Sequence, residues 1–257
     1  MPKNLLSIAG YDPSGGAGVG LDLRVFERLG FRGYGILTSV TAQDASRVES
    51  AFPLPAWLVR SQVRALERGR RFAGLKVGMV GSLENLTAVA AILAAHPGLP
   101  RVVDPVFESS SGLRLLERAA LPDFLRILRG RASLLTPNLG EASTLAGLRV
   151  DTLEAMKEAA ERIWRVGCVP CLVKGGHLRG EAVDVLHDGR EFRVFRHPRL
   201  RRDVHGTGCH LSAAILGFLA DGLGLEEACR RGIALTARGI RGAVPAAGGR
   251  RVFRFPR

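Results

Sequence analysis

Leu5-Leu6-Ser7-Ile8-Ala9 runs directly into Gly10-Tyr11-Asp12-Pro13-Ser14-Gly15-Gly16-Ala17-Gly18, and then into Val19, Leu23, Phe26 and Leu29, which end at Gly30. The order reads as a buried strand, a glycine-rich turn, and a helix with one apolar face and a glycine stop. The same alternation continues. Strand-like runs are expected at Tyr34 to Val40, Leu75 to Val80, Arg101 to Val106, Ala132 to Thr136 and Cys171 to Lys174. Helices are expected at Leu58 to Leu66, Glu84 to Ala95, Leu113 to Leu128, Leu139 to Leu145, Leu153 to Val166, Gly208 to Leu219 and Leu225 to Ile240. Strands alternating with helices imply parallel β-α units and a sheet covered on both faces, an α/β fold. One antiparallel element interrupts: Val183 to His187, Asp188-Gly189, then Glu191 to Phe195. Asp-Gly between such runs signals a hairpin.

Composition sets outer limits. The 257 residues suit one large domain, or two at most. No stretch approaches the ~20 apolar residues of a membrane span, and Met1 leads straight into a strand rather than a basic-then-apolar leader, so a cytoplasmic protein is expected. Four cysteines (Cys168, Cys171, Cys209, Cys229) fit a reducing compartment. Cys168 and Cys171 lack a second ligand pair for zinc and read as structural. The net charge is +13, yet of 37 basic residues only Lys3, Lys76, Lys157 and Lys174 are lysines. The arginines are scattered over helices and loops without interleaved aromatics, so solvated faces are expected rather than a nucleic-acid surface. Lys76 and Lys174 each end an apolar run and precede glycine, which marks them for separate attention.

Nearly every strand-like run ends in a polar or glycine-rich turn. These are Gly10 to Gly18, Thr41-Ala42-Gln43-Asp44, Asp104-Pro105-Val106, Thr136-Pro137-Asn138-Leu139-Gly140-Glu141, and Lys174-Gly175-Gly176-His177. In a doubly wound sheet these ends share one edge, where ligands bind. His205-Gly206-Thr207-Gly208-Cys209 then opens a helix. Its free amide groups and the positive end of the helix dipole would hold an anion. Cys209 is expected at the first helical position with a lowered thiol pKa. An anion cradle beside a proton acceptor suggests phosphoryl transfer. No Gly-x4-Gly-Lys-Ser/Thr, full dinucleotide fingerprint or Gly-x-Ser-x-Gly elbow occurs, which excludes P-loop enzymes, protein kinases and common serine hydrolases. His177, His205 and His210 read as polar loop residues.

These segments, with Asp22, Lys76-Val77-Gly78-Met79 and Val103-Asp104-Pro105-Val106, stand in one register from about residue 4 to 225. Together the chain resembles the hydroxymethylpyrimidine/phosphomethylpyrimidine kinases of the ribokinase-like superfamily. The resemblance implies a three-layer α/β/α ribokinase-like sandwich with a mostly parallel central sheet and a small antiparallel hairpin. It implies a kinase domain over residues 1–244, followed by a basic tail over 245–257. It further implies a homodimer in thiamine biosynthesis that binds neither nucleic acid nor membrane. The implied activity is transfer of phosphate from ATP, with Mg2+, to 4-amino-5-hydroxymethyl-2-methylpyrimidine and then to its monophosphate. By resemblance, Gln43, Gly10, Asp22, Met79 and Val106 would form the pyrimidine pocket. Gly206, Thr207, Gly208 and Cys209 would act on the migrating phosphoryl group. Lys174, Asn138 and Thr207 would contact the nucleotide, and Asp104 and Glu141 would hold Mg2+. Read from the residues alone, Asp104 could instead form a turn and Glu141 cap a helix. Asp44, Glu108-Ser109-Ser110, Val204 and His210 depart from the family pattern and bear on the second phosphorylation and on ring choice. The alternatives are a pyridoxal or pyridoxine kinase of the same fold and a non-catalytic pyrimidine-binding protein.

Overall fold

The computed structural model describes residues 2–176, 178, 182–200, 202–246 and 249–255. His177, Arg201 and the last two residues of the expected tail lie outside the described residues. The first half runs β1 (Asn4–Tyr11), α1 (Gly18–Arg28), β2 (Arg32–Gln43), β3 (Val48–Pro53), α2 (Ala56–Glu67), β4 (Phe72–Val77), α3 (Leu83–Ala94) and β5 (Arg101–Val103). The second half runs α4 (Phe124–Ile127), β6 (Leu134–Leu135), α5 (Leu139–Ala146), α6 (Leu153–Gly167), β7 (Cys171–Gly175), β8 (Ala182–His187), β9 (Phe192–His197), α7 (Thr207–Ala220), α8 (Leu225–Arg241), β10 (Val244–Pro245) and β11 (Arg251–Val252).

Nine strands form one sheet in the order β3-β2-β1-β4-β5-β6-β7-β8-β9. Strands β2, β1, β4, β5, β6 and β7 are parallel, and β3, β8 and β9 add antiparallel pairings at the two edges. The pleat sends alternate residues to opposite faces. Leu5, Val102, Leu134, Leu172 and Leu186 join the core shared with α1, α7 and α8. Leu6, Val103, Leu135, Val173 and Val185 join the core shared with α2, α3, α5 and α6. Both faces being buried, the strands read as continuous apolar runs rather than alternating ones. From β1 the chain moves outward one way to β2, then crosses to β4 on the other side. Ligand crevices lie outside the carboxyl ends of strands at such a reversal.

Three expectations change. Leu113 to Leu128 is not one helix: a 3-10 turn at Arg118–Ala120 and the four-residue α4 occupy its second half. Pro122 explains the break, since it lacks an amide hydrogen and disfavours helix at the residue before it. Strand β3 was not anticipated; it follows the Asp44–Arg47 turn and pairs antiparallel with β2. The described residues of the expected C-terminal tail are packed onto the domain. Strand β11 pairs with β10, Arg251 bridges to Val204, and Phe253 is buried in the α1/α7/α8 core.

His210 belongs to that packing and not to a loop. It lies in α7, stacks on Phe253 at 4.2 Å and meets Thr236 Oγ1 through Nδ1 at 2.9 Å. Burial lowers its pKa from 6.5 to about 4. The folded chain therefore keeps His210 neutral where an unfolded chain protonates it. The resulting stability is complete above pH 6.5 and is lost as pH falls toward 4. We predict that between pH 7 and pH 5 the unfolding free energy drops by about 2 kcal/mol more in the native sequence than in His210→Gln. Urea unfolding at the two pH values measures the difference.

Candidate active site

A cleft of about 1230 Å3 opens along the carboxyl ends of the parallel strands. It takes Gly10 from the end of β1, Gln43 from β2, Met79 from beyond β4, Asp104 and Val106 from beyond β5, and Lys174 from β7. Asn138 and Glu141 reach it from the start of α5, and Gly206 to Cys209 from the start of α7. The structure thus brings together every site residue expected from the sequence except Asp22.

Asp22 lies below the floor. Its carboxylate is fully buried and accepts from Lys76 Nζ at 2.8 Å and Ser7 Oγ at 2.6 Å. Burial disfavours the Lys76 ammonium, but Asp22 outweighs that and holds Lys76 above its usual pKa. The register Ser7↔Lys76 between β1 and β4 puts both side chains on the α1 face, where Asp22 sits. The rarity of lysine flagged Lys76 and the family resemblance flagged Asp22, but nothing in the sequence flagged their pairing. Removing one member of a buried pair strands the other charge. Lys76→Met should destabilise the fold by about 3–5 kcal/mol, and adding Asp22→Leu should restore most of the loss. Thermal or denaturant unfolding of the single and double variants checks this.

A second ion pair stands at the cleft surface. Lys174 Nζ donates to Asp104 Oδ1 at 2.8 Å, and Thr136 Oγ1 donates to the same oxygen at 3.0 Å. Thr136, buried beyond β6, orients Asp104 and was not assigned a role from the sequence. Burial disfavours the Lys174 ammonium too, and Asp104 with Glu141 raises its pKa in spite of that. Asn138 and Glu141 form a reciprocal cap on α5: Asn138 Oδ1 accepts from Glu141 N at 2.9 Å, and Glu141 Oε2 accepts from Asn138 N at 2.7 Å. The capping reading of Glu141 therefore holds for one of its oxygens, while the residue still lines the cleft. Burial pushes its carboxyl up to about 7, Lys174 pulling the other way and Asp104 adding to the rise.

The start of α7 faces this pair. Gly206 precedes the helix at φ +80, where a side chain would be strained and a Cβ would fall 2.1 Å from Gly16 O. A Cβ on Gly208 would stand 3.1 Å from Lys174 Nζ and 3.2 Å from Asp104 Oδ2. The first amides of a helix have no intrahelical acceptor, no side chain caps these, and the residues that carry them line the cleft. Cys209 is the third helical residue, not the first. Burial pushes its thiol up to about 11 even though Lys76 pulls it down, and Asp22 and Asp104 add to the rise. The expected lowering by the helix end is overturned, because desolvation of a buried sulfur and two nearby carboxylates outweighs it. The thiol is therefore protonated at neutral pH.

Beside the cradle, Asp12 is buried and receives Ser14 N at 2.8 Å, Ser14 Oγ at 2.7 Å and His205 Nε2 at 2.9 Å. Burial alone would raise the Asp12 pKa, but the bonds from His205 and Ser14, with the Gln43 amide nearby, hold it below the usual range. The departures from the family pattern find structural uses. Asp44 Oδ1 accepts from Ser46 and Arg47 amides and closes the turn into β3. Ser110 accepts from Arg250 at 2.6 Å, Val204 bridges Arg251, and His210 carries Phe253. Three of the four thus contact the C-terminal segment.

A family model described as phosphomethylpyrimidine kinase matches residues 12–252. The chain belongs to the phosphomethylpyrimidine kinase family. The hydroxymethylpyrimidine/phosphomethylpyrimidine kinase of Streptomyces coelicolor is 40% identical over 96% of this chain and 92% of its own length. The thiamine biosynthesis bifunctional protein ThiED of Geobacter sulfurreducens is 38% identical over 94% of this chain, which spans 50% of that protein. Among solved structures, phosphomethylpyrimidine kinase from Clostridium difficile superposes with a TM-score of 0.81 at 34% identity, over 93% of this chain and 99% of that one. Pyridoxal kinase from Staphylococcus aureus, in complex with AMP-PCP, superposes with a TM-score of 0.89 at 29% identity, over 98% and 93% of the two chains. The sheet, its flanking helices and the antiparallel edge are those of a ribokinase-like α/β/α sandwich. No described helix is long and apolar enough to cross a membrane.

Proposed function

We propose that this protein transfers the γ-phosphoryl group of ATP to the hydroxymethyl group of 4-amino-5-hydroxymethyl-2-methylpyrimidine, and a second one to the resulting monophosphate, in cytoplasmic thiamine biosynthesis. The observation that carries this reading is the uncapped start of α7, with Gly208 beside Lys174 and Asp104 in one cleft. Residues 1–244 would form the kinase domain, with the C-terminal segment packed on it.

The donor set fits Mg2+. Asp104 and Glu141 supply hard oxygens from two loops, and this ion takes few protein ligands, leaving phosphate and water for the rest. Among the described residues no cluster of three or more Asp, Glu, His or Cys forms an all-protein cage. When bound, Mg2+ would neutralise charge on the polyphosphate. Lys174 would add a fixed positive charge there, with Asn138 and Thr207 as polar contacts. The amides of Gly206 to Cys209 would donate to equatorial oxygens of the phosphoryl group, whose charge is spread widely in the transition state.

The substrate hydroxyl oxygen would attack the γ-phosphorus while the bond to ADP breaks, and its proton would pass late to an oxygen of the transferred phosphate and from there to water. A strong base is therefore not required, which suits a Cys209 thiol that stays protonated. Sulfur would accept a hydrogen bond from the hydroxyl and aim it. Gln43 would bind the pyrimidine edge through its amide, between Gly10, Met79 and Val106. Purified protein supplied with MgATP and the pyrimidine alcohol, its monophosphate or pyridoxal should release ADP with both pyrimidines. Cys209→Ala should cut kcat about a hundredfold with little change in KM, and Gln43→Ala should chiefly raise the KM of the pyrimidine. Unchanged turnover in Cys209→Ala removes the role given to the thiol.

A homodimer is part of the same proposal. Tyr11, Val40 and Phe52 pair in register across β1, β2 and β3 and are 44%, 38% and 66% exposed. They form an apolar row ending at the edge strand β3, whose outer backbone groups are open to pairing. A second copy would cover that row. Phe52→Asp should shift the protein from dimer to monomer in sedimentation or light scattering; a native protein already monomeric at micromolar concentration overturns the dimer.

A further inference from the structure

Two walls of the cleft are joined by one side chain. The chain after β5 folds into a short hairpin over residues 107–115, closed by a bridge between Glu108 and Arg114 and by Leu115 N donating to Phe107 O at 2.8 Å. Phe107 and Leu115 are buried at its base, whereas every residue from Glu108 to Arg114 is at least partly exposed. The hairpin lines the cleft, and its tip is held from two sides. Ser111 Oγ accepts from Val48 N at 3.2 Å, at the start of β3, and Ser110 Oγ accepts from Arg250 Nη1 at 2.6 Å. Arg250 stands on the opposite wall. Its segment runs beside the chain that leads into the cradle: Arg251 N donates to Asp203 O at 3.1 Å, and His205 N donates to Arg251 O at 2.8 Å, one residue before Gly206. Phe253 anchors the same segment in the core. Arg250 Nη2 donates to Asp203 Oδ1 at 2.5 Å, which fixes the plane of the guanidinium while its other terminal nitrogen reaches Ser110.

We propose that Arg250 is a positioning residue for phosphoryl transfer: it ties the hairpin after β5 to the strand that leads into the cradle, and so keeps water from the phosphoryl group in flight. The inference rests on the kinase reading for its reaction; the tie itself does not. A solvated surface ion pair does not account for the arrangement. The Arg250 side chain is 18% exposed against 68% for Asp203, both residues line the cleft, and the far anchor, Ser110, is neutral. The contact therefore joins two walls and not merely two charges. The competing reaction is specific. With the walls apart, a water oxygen attacks the γ-phosphorus in place of the substrate hydroxyl while the bond to ADP breaks. ATP and water then become ADP, inorganic phosphate and a proton released to solvent. The cradle amides stabilise charge on the phosphoryl oxygens whichever oxygen attacks, so discrimination against water falls to closure of the walls.

The test counts ADP against phosphorylated pyrimidine. Native protein with MgATP and 4-amino-5-hydroxymethyl-2-methylpyrimidine should form the two in equal amounts. Arg250→Ala should cut kcat for the pyrimidine about tenfold, the worth of one hydrogen bond to a charged group, with the KM of ATP within about threefold. It should also release ADP in excess of product, matched by inorganic phosphate. Ser110→Ala removes the far anchor without touching a charge, so it provides a folded variant and should shift the ratio the same way by less. Both changes break one link, so the double variant should be no worse than Arg250→Ala. Hydrogen exchange gives a readout apart from activity. The hairpin amides of Ser109, Gly112 and Leu113 should exchange faster in Arg250→Ala, while those of β1 and β4 stay unchanged. A merely structural role would lower ADP and product together. Equal ADP and product in both single variants overturns the proposal, as does unchanged exchange in the hairpin. A native protein that releases no ADP with either pyrimidine overturns the kinase reading instead, and faster exchange in Arg250→Ala then still supports the tie.

Discussion

The approach of the α7 backbone to the Lys174–Asp104 pair governs the rest of the cleft. A Cβ on Gly208 would stand 3.1 Å from Lys174 Nζ and 3.2 Å from Asp104 Oδ2, so any side chain there would crowd both charged groups. The contact places a helix end, with its unpaired amides and partial positive charge, over a carboxylate and an ammonium already fixed by Thr136. Because the amides are set before a ligand arrives, little reorganisation is left for the reaction itself. Gly206 makes the approach possible from the other side by lying against Gly16 O in a left-handed conformation.

Charge is arranged in two tiers around Cys209. The lower tier, Lys76 with Asp22 and Ser7, is dry and serves the sheet. The upper tier, Lys174 with Asp104 and Glu141, borders the cleft. The sulfur lies at the cleft wall between two carboxylates and two ammonium groups. Near charges of both signs largely cancel there, so burial decides, and the thiol keeps its proton. A neutral sulfur is adequate for a reaction whose difficulty lies in placing groups and in spreading negative charge.

The C-terminal segment extends this framework. Arg250 joins Ser110 on the loop after β5 to Asp203 ahead of the cradle, while Arg251 and Phe253 fix the strand and helix on either side of it. Elsewhere the basic excess is spread along solvated helix faces, in pairs such as Arg162–Glu158, Arg165–Glu161 and Arg231–Glu227 four residues apart. Such pairs are worth a few tenths of a kcal/mol each and account for arginines that contact no ligand.

The sequence by itself determined the alternating β-α order, the parallel sheet and the edge on which Gly10, Gln43, Asp104, Asn138 and Lys174 gather. Apolar runs and polar turns are local signals, and strand direction then carries the turns to one side. It also marked Gly206 to Cys209 as a helix end open to an anion. Only the tertiary structure decided that Asp22 lies beneath the cleft with Lys76, that Asp12 joins Ser14 to His205, that Cys209 keeps its proton, and that Phe253 is core. The long-range pairings among these join residues between 15 and 193 positions apart, and the rest depends on how much water the packing excludes. Pair partners and desolvation are properties of the folded volume, and a linear pattern does not contain them.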